Sequence, residues 1–295
     1  MSNACAKKLI IVLGPTAVGK SDYAINLALK YGSPVVSCDS RQIFKEMSIG
    51  TAVPSEEQLL KVKHYFIHSH TVAQYYTAGK YEIEALALLE ELFRSHDTIV
   101  MAGGSGLYID ALCNGLDDFP EADQTIRSQL MERLDKEGIE SLQAELLKVD
   151  PETYYSVDIA NRQRVVRALE VTIATGHKFS SYKTNPAKQR GFEIEKTGLT
   201  RDRDELYERI NKRVDLMIEA GLEDEVRSLV QYREMPALKT VGYREMFEYF
   251  DGVVSREEAI NLIKRNTRHY AKRQMTYWGR DNTIQWLSCP TQTGI

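Results

Sequence analysis

Cysteine is scarce and scattered. Cys5, Cys38, Cys113 and Cys289 stand far apart in 295 residues, with no Cys-x-x-Cys pair and no Cys/His spacing of a zinc site. That excludes a disulfide framework and leaves reduced thiols as the plain reading. An excess of positive charge is also missing: 38 Lys and Arg face 42 Asp and Glu, a net charge of −4. The molecule as a whole is therefore no polyanion binder, and any such site must be a local patch. Long apolar runs are absent too. Leu9–Leu13 falls far short of the roughly 20 residues a spanning helix needs. The N-terminal MSNACAKK lacks the length and cleavage pattern of a signal peptide. The expectation is a cytoplasmic protein with no membrane partner. No heptad seam, internal repeat or low-complexity tract interrupts the chain, and a monomer is expected.

What is present is an ordinary globular composition, 43% hydrophobic and 27% charged. Lys8–Leu13 (KLIIVL) is a continuous apolar run, as expected of a strand buried on both faces of a parallel sheet. Pro34–Cys38, Tyr65–His68, Thr98–Met101, Phe192–Leu199 and Ile284–Leu287 read as further strands. Helical patterns over Tyr81–Phe93 and at about 203–220, 222–232, 243–250 and 255–278 alternate with them. This order predicts an α/β fold, a P-loop-type parallel sheet flanked by helices. Near Pro120 the rhythm changes. Ile126, Leu130 and Leu134, then Ile139, Leu142 and Leu146, repeat at helical spacing with no strand between them. Glu121–Asp158 carries ten acids against four bases, and Asn161–Gly176 is one more amphipathic helix. Residues 119–190 therefore read as an all-helical insertion domain within a core of 1–118 and 191–295.

The sharpest motif is Gly14-Pro15-Thr16-Ala17-Val18-Gly19-Lys20-Ser21, a G-x-x-x-x-G-K-[ST] loop between a strand and a helix. Glycines let the backbone fold around a phosphate, so that N–H groups and a helix N-terminus face its charge. Lys20 adds a point charge, and Ser21 is placed to ligate Mg²⁺. The loop by itself says only that a di- or triphosphate binds. Asp39 follows the second strand, where open α/β sheets bind ligands. It could ligate metal, act as a base, or merely cap the Ser40-Arg41-Gln42 turn. Gly103–Tyr108 (GGSGLY) brings the Ser105 hydroxyl to the same rim, or only makes a tight turn. From Arg256 to Arg280 seven bases meet two acids. Lys264, Arg268 and Lys272 share a helical face there, with Tyr270, Tyr277 and Trp278 interleaved. Basic side chains for phosphates plus aromatics for unstacked bases suit single-stranded RNA, although exposed helices are often basic for no such reason.

Together these segments resemble the tRNA dimethylallyltransferases, also called tRNA isopentenyltransferases. The stretches that carry the likeness are GPTAVGKS, Asp39–Pro54, GGSGLY, Arg162–Val171, Val241–Met246 and Ala271–Trp278, in family order from residue 8 to about 287. Ser105 stands where the family usually has threonine, and Tyr277 separates Thr276 from Trp278 where tryptophan usually follows directly. The eukaryotic zinc-finger extension is lacking, so the likeness is to the bacterial type. It implies that dimethylallyl diphosphate seats its diphosphate in Gly14–Ser21 with Mg²⁺ assisting. It further implies that Asp39 takes a proton from the adenine N6 amine, and that Ser105 and Arg213 complete the catalytic set. Contacts to the tRNA anticodon stem-loop would come from Asp39, Ser40, Arg41, Gln42, Ser105 and Arg127. To these the likeness adds Gln163, Arg164, Val165, Val166 and Arg167. It also adds Lys239, Thr240, Val241, Gly242, Tyr243, Arg244, Lys272, Arg273 and Gln274. A P-loop small-molecule kinase, prenylation of free adenine nucleotides and a non-catalytic RNA-binding module remain the alternatives.

Overall fold

The computed structural model describes residues 7–117, 119–120, 123–183 and 188–289. Cys5, residue 118 and Glu121 lie outside them. The chain divides into two units, Met1–Cys113 with Gln189–Ile295, and Asn114–Lys188.

The first unit begins with β1 (Lys8–Leu13), α1 (Lys20–Tyr31), β2 (Val35–Ser37), α2 (Glu56–Lys61) and β3 (His64–Tyr65). It continues with α3 (Ala78–Leu92), β4 (Thr98–Ala102) and α4 (Gly106–Asn114). The second unit holds α5 (Gln124–Glu137), α6 (Ile139–Val149), α7 (Pro151–Ser156) and α8 (Arg162–Thr175). The chain then returns to the first unit through β5 (Glu193–Thr200), α9 (Arg203–Glu219), α10 (Leu222–Ser228), α11 (Tyr243–Phe250), α12 (Arg256–Trp278) and β6 (Ile284–Ser288).

Six strands form one sheet in the order β3-β2-β4-β1-β5-β6, every neighbouring pair parallel. Side chains alternate across it, and both faces are covered. Leu9, Ile11 and Leu13 pack with residues of α3 and α4, while Val12 packs with α1 and with Leu206 and Ile210 of α9. That two-sided burial is why the β1 sequence is apolar without interruption.

The helical unit has a core of its own, built on Leu130, Leu134, Leu142, Leu146, Val165, Val166 and Leu169. The Asn114 carbonyl accepts from the Lys188 N–H at 2.8 Å, at the two ends of the unit 114–188.

Burial predicts a sharp contrast in stability. Ile11→Ala, at a site with 0% exposure, should lose about 2–5 kcal/mol in urea denaturation. Ile83→Ala on α3, 73% exposed, should stay within about 0.5 kcal/mol of the parent.

Candidate active site

Three loops meet at the C-terminal ends of β1, β2 and β4. The first is the phosphate loop. Gly14 and Gly19 take φ of 145° and 115°, and Ala17 is left-handed at 65°. A side chain on Gly14 would lie 2.6 Å from the Leu199 carbonyl, so the loop sits hard against β5. Gly19 caps α1 without any side-chain bond, and the first N–H groups of the helix are therefore left to whatever anion enters. The Lys20 Nζ donates to the Pro15 carbonyl at 2.8 Å, within the same loop. Burial, then the nearby Arg213, pushes the Lys20 ammonium down to about 8 against the opposing pull of Asp39.

The second loop carries Asp39. Its Oδ1 accepts from the N–H groups of Arg41 (2.9 Å) and Gln42 (3.4 Å), which is the capping role. Among the described residues Oδ2 has no hydrogen-bond partner, and Asp39 lines the cleft. One oxygen holds the turn and the other is left for chemistry, so the two readings of this residue are compatible.

The third loop is GGSG. A Cβ on Gly103 would come within 2.5 Å of the Cys38 backbone, and one on Gly104 within 2.4 Å of the Gln274 amide. The Ser105 hydroxyl accepts from the Ser40 N–H at 2.8 Å and donates to the Ser40 Oγ at 3.0 Å, so it braces the second loop.

The cleft between these loops encloses about 310 Å³. Two arginines of α9 line it. Arg209 Nε donates to the Ala17 carbonyl at 2.9 Å, and Arg213 Nη1 lies 3.5 Å from the Thr16 hydroxyl. Burial and the charge of Arg209 together hold the Arg213 guanidinium below its usual range. Arg209 escaped the sequence reading, although its i,i+4 spacing from Arg213 was a signal for a shared face.

Gln274 was expected at the RNA. It is buried instead, with Oε1 accepting from the Thr16 N–H and Nε2 donating to the Gly104 carbonyl, each at 2.9 Å. Three other residues assigned to RNA have side chains that cannot reach it. Val165 and Val166 lie in the core of the helical unit, and Tyr243 is buried beneath Gly50. The basic face of α12 also shrinks. Lys264 pairs with Asp215 at 2.5 Å and Arg268 donates to Asn211 at 2.6 Å, both on α9, which leaves Lys272 and Arg273 exposed. Trp278 lies in the core, so it is no platform for a base, and the Tyr277 hydroxyl bonds Asp110. Ser40, Arg41 and Gln42 are half-buried, Gln42 lining the cleft, and Lys239 and Arg244 are exposed. In the helical unit Gln163 and Arg164 are exposed, and Arg127 and Arg167 half-buried.

One carboxylate had no sequence signal. Glu225 of α10 accepts from the N–H groups of Ser48, Ile49 and Gly50 at 2.7–2.9 Å and from the Tyr243 hydroxyl at 2.6 Å. The loop it gathers continues to Thr51 and Ala52, whose carbonyls accept from the Gln42 amide at 3.2 and 3.0 Å.

Comparison with known proteins can now be set beside this geometry. The family described as IPP transferase matches residues 42–281. A tRNA dimethylallyltransferase of Porphyromonas gingivalis is 49% identical over 279 residues, covering 95% of this chain and 93% of its own. The chain belongs to the tRNA dimethylallyltransferase family. The solved tRNA isopentenylpyrophosphate transferase of Bacillus halodurans is 34% identical with a TM-score of 0.70, over 96% of this chain and 90% of that one. A eukaryotic dimethylallyltransferase, solved acting on tRNA, is 25% identical with a TM-score of 0.80, over 96% and 74%. The P-loop-type sheet flanked by helices is thus the family fold.

The Glu225 cluster yields a stability test. Glu225→Leu strands three backbone donors and should destabilise by about 3 kcal/mol in chemical denaturation, whereas Tyr243→Phe should cost about 1 kcal/mol.

Proposed function

We propose that this chain transfers the dimethylallyl group of dimethylallyl diphosphate to N6 of the adenosine 3′ of the anticodon in tRNA, releasing diphosphate. The observation that carries this reading is the position of the Asp39 carboxylate in the same cleft as the phosphate loop. A phosphate cradle with a base beside it suits displacement of diphosphate by a weak nitrogen nucleophile.

The diphosphate takes the N–H groups of the loop and the α1 N-terminus, with Lys20, Arg209 and Arg213 around it. The adenine leaves its stack to enter the cleft. An exocyclic amine is a poor nucleophile because its lone pair is delocalised, so a positioned base helps. As N6 bonds to the prenyl C1, the C1–O bond breaks and its electron pair leaves with diphosphate. The proton of N6 passes to Asp39 Oδ2. Ser105 and Ser40 hold the Asp39 turn in place.

The donor set also suits Mg²⁺, which takes few protein oxygens and keeps water and substrate phosphates. Ser21 lines the cleft and would hold the ion, whose charge would offset that of the diphosphate. No group of three or more His, Cys, Asp or Glu competes as a metal cage among the described residues.

The anticodon stem-loop would be held by the exposed cations, Arg164 and Lys239, Arg244, Lys272 and Arg273, with Gln163. No helix among the described residues is long and apolar enough to cross a membrane.

The purified protein, given dimethylallyl diphosphate, Mg²⁺ and an unmodified tRNA with an adenine-rich anticodon loop, should yield dimethylallyladenosine by mass spectrometry of the digest. Transfer to free AMP alone, or phosphate transfer from ATP to a metabolite, would replace the reading. Asp39→Asn keeps an oxygen for the Arg41 and Gln42 amides but removes the base. It should lower kcat by about 10²–10⁴, and retention of activity within tenfold would sink the role of Asp39.

The lowered Lys20 pKa sets the alkaline limb. The ammonium binds diphosphate and is lost as pH rises through about 8. In stopped-time assays kcat/KM for the prenyl donor should therefore fall above that pH, since this ratio reports the free enzyme. The limb should vanish in Lys20→Arg, which stays charged.

A further inference from the structure

Glu170 lies on α8 beside the core valines and is 1% exposed, yet it binds two cations. Its Oε2 accepts from Arg127 Nη1 of α5 at 3.0 Å, and its Oε1 from Arg167 Nη1 at 2.5 Å. Each guanidinium has one further anchor. Arg127 Nη2 donates to the Gln163 side chain at 2.8 Å and Arg167 Nη2 to the Pro120 carbonyl at 2.7 Å.

Stability alone does not ask for this arrangement. Burying a carboxylate costs several kcal/mol unless it is paired, but one guanidinium would neutralise it. The second brings two like charges together and leaves a local surplus of one positive charge. Both arginine side chains stay about one-third exposed, at 32% and 30%. Among the described residues each uses only two of its five N–H donors. The surplus also stands against an acidic background, ten acids to four bases over Glu121–Asp158. A fixed pair of planar, weakly hydrated cations matches phosphodiester oxygens better than mobile lysines do.

We propose that Glu170 is a positioning residue for RNA binding, its buried carboxylate holding Arg127 and Arg167 side by side as a paired site for backbone phosphates of the tRNA. This rests on the tRNA reading above and concerns the helical unit alone. Glu170 touches no substrate; it acts through the two arginines, whose free rotation would otherwise have to be stopped on binding.

The test compares the parent chain, Glu170→Gln, an Arg127→Ala/Arg167→Ala double variant and the triple combination. Steady-state prenylation, tRNA binding by fluorescence anisotropy at two salt concentrations, and thermal melting are read for each. Glu170→Gln should raise the KM for tRNA about tenfold, with kcat and the KM for dimethylallyl diphosphate moving less than twofold. In the double-arginine background the same substitution should change tRNA affinity less than twofold.

A lower melting temperature with unchanged tRNA affinity would make Glu170 a strut and overturn the proposal. So would an equal effect in both backgrounds, or tighter binding once the carboxylate is removed. If Glu170→Gln fails to fold, Arg127→Lys keeps the charge and loses the fork. It should weaken tRNA binding severalfold, and parental affinity would count against the paired site. A parent chain that prenylates no tRNA would defeat the reaction reading, while anisotropy would still decide whether Glu170 acts on RNA.

Discussion

Gln274 reaches from α12 to the C-terminal rim of the sheet, where its one amide spans two loops. It accepts from the Thr16 N–H of the phosphate loop and donates to the Gly104 carbonyl of the β4 turn. The Gly104 carbonyl is buried and would otherwise lack a partner, at about 1–3 kcal/mol, while the Thr16 N–H is part-buried at the cleft. Gly104 has to be glycine because the amide occupies the space of a Cβ. Three segments far apart in sequence are thereby made into one rim. The phosphate loop, the turn after β4 and the end of the long helix are tied to one another.

The same economy governs the acid–base groups. Asp39 uses one oxygen to close its own turn, which fixes where the other oxygen points. An oxygen so placed is what the proposed base role requires. On the opposite side the cations are crowded, with Arg209, Arg213 and Lys20 around the phosphate loop. Their mutual repulsion and burial lower the affinity of Lys20 and Arg213 for their protons. In the proposed reaction a bound diphosphate would relieve that repulsion.

What could be read from the sequence follows from how local each signal is. β1 and β4 announce themselves because both faces of the sheet are covered and the runs are apolar throughout. The phosphate loop is a contiguous motif whose chemistry follows from its residue types. By contrast α2 and α7 have six residues each, too short for any periodicity to build up. Side-chain direction is harder still. Gln274, Lys264 and Arg268 sit on a helix that reads as basic and RNA-facing, yet each points at a protein partner that only the tertiary fold supplies. Val165 and Val166 fall inside a motif whose neighbours are exposed, and the helical period turns them inward.

A net charge of −4 on a protein with a polyanionic partner looks contradictory until the acids are followed to their sites. Glu225 is consumed by three backbone N–H groups and a tyrosine. Glu245, which is buried, takes the Gly242 N–H at 2.8 Å and the Asn266 amide at 2.7 Å. Glu170 takes two guanidiniums. These carboxylates face inward and satisfy buried donors, so their field is largely cancelled at short range. The two arginines paired by Glu170 lie further out. Residue totals weigh every charge equally, whereas an approaching phosphate meets mainly the outer ones.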